Sequence, residues 1–244
     1  MVHRIFLAVF AFLVACLPAT AGCAARGSNG VSYTVCEFDP ATTKIGLYNL
    51  DAQGVPLGNF SALSQMLAQG GERLVFAMNA GMYGVDLKPI GLYIEDGVPV
   101  RKLNRRSGAG NFHLKPNGVF YVDSGKAGVV DTDTFAKLGL KPRHATQSGP
   151  MLVINGKIHP KFSATGISAK IRNGVGVKDD GTVVFVLAET PINFHAFATL
   201  FRDDLDCRNA LFLDGSVSGL YATELGRNDG LVPFGPMVGV VEMK

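Results

Sequence analysis

The sequence has no tryptophan and only four cysteines, Cys16, Cys23, Cys36 and Cys207. It holds no C-x-x-C pair and no Cys/His cluster at zinc-binding spacing, so no structural zinc site is expected. Beyond residue 17 no apolar run approaches the roughly 20 residues that span a bilayer. Charge is sparse as well: 18% of residues, a net charge of +3, and no block of one sign that stands out. A nucleic-acid-binding face is therefore not expected.

What is present begins at the N-terminus. Met1-Val2-His3-Arg4 leads into an apolar run from Ile5 to Leu17, then Pro18 and Ala19-Thr20-Ala21. A basic start, an apolar core of about a dozen residues and an A-x-A site form a secretory signal. Residues 1–22 are read as that signal and 31–244 as one domain, with 24–30 as a flexible leader. The mature chain is expected outside the cytoplasm, periplasmic or secreted. Lipoprotein-type cuts also fit before Cys16 and before Cys23, and a lipid there would be the one contact with a membrane. In an oxidising compartment cysteines are expected to pair. Two solutions stay open: Cys36 with Cys207 if Cys23 carries lipid, or one thiol left free.

Thirty glycines punctuate short runs rich in Val, Ile, Phe and Tyr. Such runs read as strands: 32–37, 45–49, 74–79, 91–95, 119–123, 151–154, 183–188, 210–214 and 238–242. Glu95-Asp96-Gly97, Ile154-Asn155-Gly156 and Asp179-Asp180-Gly181 are hairpin turns. Apolar spacing predicts helices over 61–69 and 194–205, the second capped by Asn193, and a shorter one over 134–138. The loops 104–111, 141–147 and 161–173 are long enough to be binding surfaces. The fold class expected is α+β, a single domain with a central mixed or antiparallel sheet and two or three packed helices.

Polar residues collect at strand ends beside glycines, where they can converge on a pocket. Asn79 and Gly81 follow one strand; His113, Lys115 and Asn117 precede another; Gln147 and Ser148 precede a third. Arg172 opens a fourth, Glu189, Asn193 and His195 follow a fifth, and Asp214 closes a sixth. Arg172, Lys115 and His113 supply cationic donors for a phosphate. Asp214 and Glu189 supply carboxylates. His195, in the first turn of its helix, faces the positive dipole end and reads as a neutral donor or acceptor. No cofactor and no firm metal site is expected, with an Asp214-centred calcium left open.

The order of motifs resembles the phosphodiester glycosidase family. It runs Asn79-Ala80-Gly81-Met82-Tyr83, Gly91-Leu92-Tyr93-Ile94, Asn117-Gly118-Val119-Phe120, Ser148-Gly149-Pro150-Met151, Arg172-Asn173-Gly174-Val175-Gly176 and Leu213-Asp214-Gly215. The resemblance covers roughly residues 74–241. It implies hydrolysis of the glycosidic bond of a sugar-1-phosphodiester, with Asn79, Arg172 and Asp214 in a polar pocket and Ser148 and Gly149 nearby. The chain departs from the family pattern at Ala80 and at Ser216-Val217-Ser218, where glycines are usual.

Two expectations of different class follow. The first is an exported hydrolase with Asp214, Glu189 and His195 as catalytic groups. Its substrate-binding groups are Asn79, Gly81, His113, Lys115, Asn117, Gln147, Ser148, Arg172 and Asn193. The second is a non-catalytic module that binds envelope glycan. In both, the partner is a small-molecule or envelope glycan.

Overall fold

A computed structural model describes residues 22–28, 30–215, 217–230 and 232–244. The predicted signal core, residues 1–21, lies outside the described residues. In chain order the strands are β1 (Gly22–Ser28), β2 (Val31–Phe38), β3 (Lys44–Tyr48), β4 (Glu72–Asn79), β5 (Tyr93–Glu95), β6 (Val98–Arg101), β7 (Gly118–Asp123), β8 (Lys126–Asp131) and β9 (His144–Ser148). They continue with β10 (Met151–Ile154), β11 (Lys157–Ile158), β12 (Asn173–Lys178), β13 (Val183–Ala188), β14 (Cys207–Asp214), β15 (Leu220–Ala222), β16 (Arg227–Asn228) and β17 (Met237–Met243). Among the described residues three α-helices join them: α1 (Phe60–Gln69), α2 (Thr132–Leu138) and α3 (Phe194–Thr199).

The domain is α+β, but its centre is three antiparallel sheets rather than one. The first has the order β1-β2-β13-β12-β14-β10-β11, the second β16-β15-β4-β17-β3, the third β6-β5-β9-β7-β8. They meet at an aromatic cluster. Phe185 of β13 lies 5.0 Å from Phe76 of β4 and 5.8 Å from Phe120 of β7, centroid to centroid. Phe38 of β2 closes it at 5.1 Å from Phe76. Alternation along β13 explains the layering: Val183, Phe185 and Leu187 enter this shared core, while Val184, Val186 and Ala188 enter a second core under α3. Helix α1 covers the outer face of the second sheet with Phe60, Leu63 and Leu67, and α2 covers the third with Phe135.

Helix ends follow side-chain chemistry. Asn59, two residues before the predicted start, caps α1 by accepting from Ala62 N at 2.8 Å. Asp131 caps α2 by accepting from Asp133 N and Thr134 N. Asn193 caps α3 by accepting from Ala196 N at 2.8 Å. The predicted helix 194–205 is α-helical only to Thr199 and continues as a π turn over Leu200–Asp204. This segment packs on β12 at Gly174 and Gly176. A Cβ at Gly176 would stand 2.6 Å from Cys207 Sγ, and one at Gly174 would stand 3.2 Å from both Phe197 and Phe201. These glycines therefore serve close packing.

Two expectations need correction. Of the expected leader 24–30, residues 24–28 are strand: β1 pairs with β2 along its whole length. Cys23 faces Cys36 across that pair and the two form a disulfide, while Cys207 is free and buried. A sulfur held in a disulfide cannot also carry a thioether-linked lipid, so this pairing rules out the lipidated Cys23 and the Cys36–Cys207 bond together. Among the described residues no helix is long and apolar enough to cross a membrane.

A buried carboxyl away from the site makes stability pH-dependent. Burial pushes Glu95 up from 4.5 to about 7, opposed by the nearby Tyr93 hydroxyl and reinforced by the Asp96 charge. A raised folded pKa means that the folded state holds its proton while the unfolded chain releases it. Stability is then full below about pH 4.5 and falls as pH rises to about 7, by about 2 kcal/mol for a partly screened group. His144 is shifted the other way, downward by desolvation, and its contribution is lost as pH falls below its ordinary range. Comparison with Glu95→Gln cancels it. Urea unfolding across this range is expected to show the variant gaining on the wild type as pH rises; a gap independent of pH would refute the displaced Glu95.

Candidate active site

Strand ends from all three sheets converge. Asn79 closes β4, Ser148 closes β9, and Asn173 at the start of β12 pairs directly with Asp214 at the end of β14. Asn173 is the tie between them. Its Nδ2 donates to Asn79 O at 3.0 Å and Asn79 Oδ1 at 2.8 Å, and its Oδ1 accepts from Asp214 N at 2.7 Å. Asn79 in turn donates to Val217 O at 2.7 Å and accepts from Gly219 N at 3.1 Å. Ser148 Oγ donates to Leu213 O at 3.0 Å. The backbone on both sides of Asp214 is thus held by buried amide and hydroxyl groups, whose partners must be kept once water is excluded.

The Asp214 side chain lines a pocket of about 510 Å³ together with Met82, Tyr83, Phe112, His113 and Val217. Tyr83 is pushed up to about 12 by burial and then by the Asp214 charge. Its hydroxyl therefore keeps its proton, which it donates to Pro233 O. His113 meets Arg106 O through Nδ1 at 3.1 Å; a carbonyl accepts, so Nδ1 carries the hydrogen and Nε2 remains for other contacts.

Arg172 lies just behind. It is 1% exposed, and its guanidinium stacks 3.7 Å above the Phe194 ring with Phe212 at 5.4 Å. Nε donates to Ile192 O at 2.8 Å and Nη2 to Ser168 O at 2.9 Å. Nη1 approaches Gly215, where an added Cβ would stand 3.4 Å away. Burial lowers Arg172 to about 10, which leaves it charged at neutral pH. Among the described residues it forms no ion pair with a carboxylate. A buried cation without a carboxylate is costly, and here it sits beside the residue that follows Asp214.

A family model describing phosphodiester glycosidases matches residues 72–235, a span that contains every residue of this constellation. The chain belongs to the phosphodiester glycosidase family. A relative in Escherichia coli (strain K12), the uncharacterized protein YigE, is 40% identical over 190 residues, 78% of this chain and 73% of that protein. The fold is shared with the catalytic domain of zebrafish N-acetylglucosamine-1-phosphodiester alpha-N-acetylglucosaminidase, auto-inhibited by its pro-peptide. That match has a TM-score of 0.66 at 15% identity and covers 93% of this chain and 84% of that one. A hypothetical protein from Synechocystis also shares it, with a TM-score of 0.54 at 14% identity over 90% of this chain and 62% of that one.

Within this family member the other expected site residues fall elsewhere. Gly81 is adjacent, with φ of 105°, and a Cβ added there would stand 2.8 Å from Thr146 Oγ1, so it serves the turn after Asn79. Gln147 is buried, bonded to Leu92 N and to both backbone groups of Asn104. Asn117 is buried on Phe112 O and Thr132 Oγ1. Lys115 Nζ donates to Arg105 O, and Asn193 is a helix cap. His195 lines a separate apolar cavity with Tyr33, Leu200 and Asp204. The backbone of the 104–111 loop and the pocket do meet, through Ala109, Gly110 and Asn111, but residues 144–147 belong to β9 rather than to a loop.

Glu189 is the correction with the most chemical weight. It stands past the end of β13, two strands and about 10 Å from β14. Its carboxylate accepts from Thr34 Oγ1 at 2.6 Å and pairs with Arg227. Its charge is used in that ion pair, away from the Asp214 pocket. Glu189→Gln is therefore expected to leave kcat/KM within about threefold of the wild type, since distant sites act independently. A loss of about 100-fold, the scale of a lost acid or base, would restore Glu189 to the chemistry. Asn173, Tyr83 and the Phe194–Phe212 pair lie outside the expected set of site residues. Asn173 had a signal, its place beside Arg172 in a shared motif; the aromatic pair had none.

Proposed function

We propose that the protein is an exported hydrolase that adds water across the glycosidic C–O bond of a sugar-1-phosphodiester, releasing free sugar and a phosphomonoester. The observation that carries this reading is Asp214: its carboxylate lines the pocket, its backbone is clamped by Asn173 and Ser148, and the buried Arg172, without a carboxylate partner among the described residues, stands behind it. The Cys23–Cys36 disulfide supports an oxidising compartment. In this reading Asp214 attacks the anomeric carbon or activates water toward it. Phosphate is a good leaving group, so little proton donation is needed. The positive potential of Arg172 stabilises the phosphate charge as the carbon becomes oxocarbenium-like, and Tyr83 and His113 contact the substrate.

One feature favours a second reading. Among the described residues Asp214 is the one carboxylate lining this pocket, whereas most glycosidases use two. A glycan-binding module without turnover would fit a single carboxylate. The experiment is hydrolysis of a panel of α- and β-linked gluco, galacto and N-acetyl sugar-1-phosphodiesters by the mature protein in labelled water. Label in the sugar marks C–O cleavage and supports the proposal. Label in the phosphate marks a phosphodiesterase instead, and no turnover by folded protein leaves the binding module.

A further inference from the structure

The segment running from the end of β6 into the loop that walls the Asp214 pocket carries four cations in six residues: Arg101, Lys102, Arg105 and Arg106. The modest net charge hid this block, because a sum over the chain does not register where charges lie. The four line a second cleft of about 410 Å³, and no carboxylate lines it. The two cavities share Ile90. The wall between them is pinned rather than loose. Asn104 Nδ2 donates to Ile90 O at 3.0 Å, and the buried Gln147 amide bonds both the N–H and the C=O of Asn104.

The charge census is one-sided. Arg105 pairs with Asp133 at 2.8 Å, and Lys115 adds a fifth cation through its bond to Arg105 O. Among the described residues Arg101, Lys102 and Arg106 form no ion pair. Exposed like charges held together repel one another and concentrate anions in the adjoining cleft.

We propose that this cleft binds a second anionic group of the substrate, a phosphate on the aglycone side of the scissile bond. The natural substrate is then a polyanionic chain with repeated phosphates rather than an isolated diester with a neutral aglycone. This rests on the glycosidase reading for the bond that is cut, while the anion site itself stands on the loop. Long, exposed cations suit a flexible polyanion, which is held by charge more than by shape.

The test uses two diesters of the sugar found active in the panel, one with a methyl aglycone and one whose aglycone ends in a phosphate. The wild type is expected to prefer the second by about tenfold in kcat/KM, through KM, the product of three exposed and screened contacts. The triple variant Arg101→Ala, Lys102→Ala, Arg106→Ala is expected to bring that ratio to about one. Raising salt from about 0.01 M to about 1 M should do the same to the wild type, as the screening length shrinks. Calorimetry with inorganic triphosphate gives a readout free of turnover: binding that the triple variant loses and Asp214→Asn keeps. If diesters are cleaved but the ratio is unchanged in the variant, the inference is overturned and the glycosidase reading stands. If no diester is cleaved yet triphosphate binds at the cleft, the glycosidase reading fails and the anion site stands. Triphosphate binding equal in wild type and variant overturns the anion site.

Discussion

On the proposed reading, Asp214→Asn is expected to lower turnover of a sugar-1-phosphodiester by about 1,000-fold or more while the protein stays folded. The size follows from the role: removing the group that attacks carbon, or activates water, forfeits at least the 100- to 10,000-fold that a positioned base supplies. The fold survives because the change is nearly isosteric. Asparagine keeps a carbonyl oxygen for the Gly215 N–H, which meets Asp214 Oδ1 at 2.6 Å. The backbone N–H still donates to Asn173, and Ser218 Oγ still finds the residue-214 carbonyl at 3.3 Å. The measurement is kcat/KM with labelled product, beside a thermal unfolding curve. A folded variant with turnover within about tenfold of the wild type would remove Asp214 from the chemistry. A variant that keeps glycan affinity, in a protein whose wild type never turns over, would establish the binding module.

Asn173→Ala is expected to damage stability and activity together. Asn173 is wholly buried and serves three partners on two other strands. Alanine leaves the Asp214 N–H and the Asn79 carbonyl without their bonds in a region closed to water. Orphaned buried groups cost about 1–3 kcal/mol each, so a loss of about 3 kcal/mol follows, or roughly 6–12 °C in Tm for a domain of this size. Displacement of Asp214 by as little as about 1 Å costs on the order of 100-fold in rate. Asn173→Asp is not a rescue: it keeps an acceptor for Asp214 N but sets a carboxylate against the two oxygens of Asn79. Denaturant unfolding and kcat/KM on one preparation check both parts. A Tm within about 2 °C of the wild type for Asn173→Ala would show that the tie is not what holds the site.

The contrast between these residues shows where local chemistry stops being informative. By itself the sequence determined the α+β class, the nine apolar strands, the three helices with their approximate spans, and the hairpins at Asp96-Gly97, Asn155-Gly156 and Asp180-Gly181. Each is a property of a few neighbouring residues: alternation, caps and turns are encoded within a single segment. The motif order further singled out Asn79, Ser148, Arg172 and Asp214 as a group. Strands with mixed or polar content were not legible. His144–Ser148 is buried throughout yet reads as a polar loop, because β5 and β7 flank it and satisfy its backbone. Gly22–Ser28 has no large aliphatic or aromatic residue and is a strand because β2 pairs with it.

Only the tertiary structure decided which strand ends share a pocket. Glu189 and Asp214 both follow apolar strands and look equivalent along the chain. The order β2-β13-β12-β14 turns Glu189 toward Thr34 and Arg227 and brings Asp214 to Asn173. The same holds for Cys23, whose partner is fixed by the register of β1 on β2, and for Arg172, whose stacking on Phe194 and Phe212 joins residues from a helix and a distant strand. Strand order and register arise from the packing of three sheets around Phe185, a sum over long-range contacts that no local window contains.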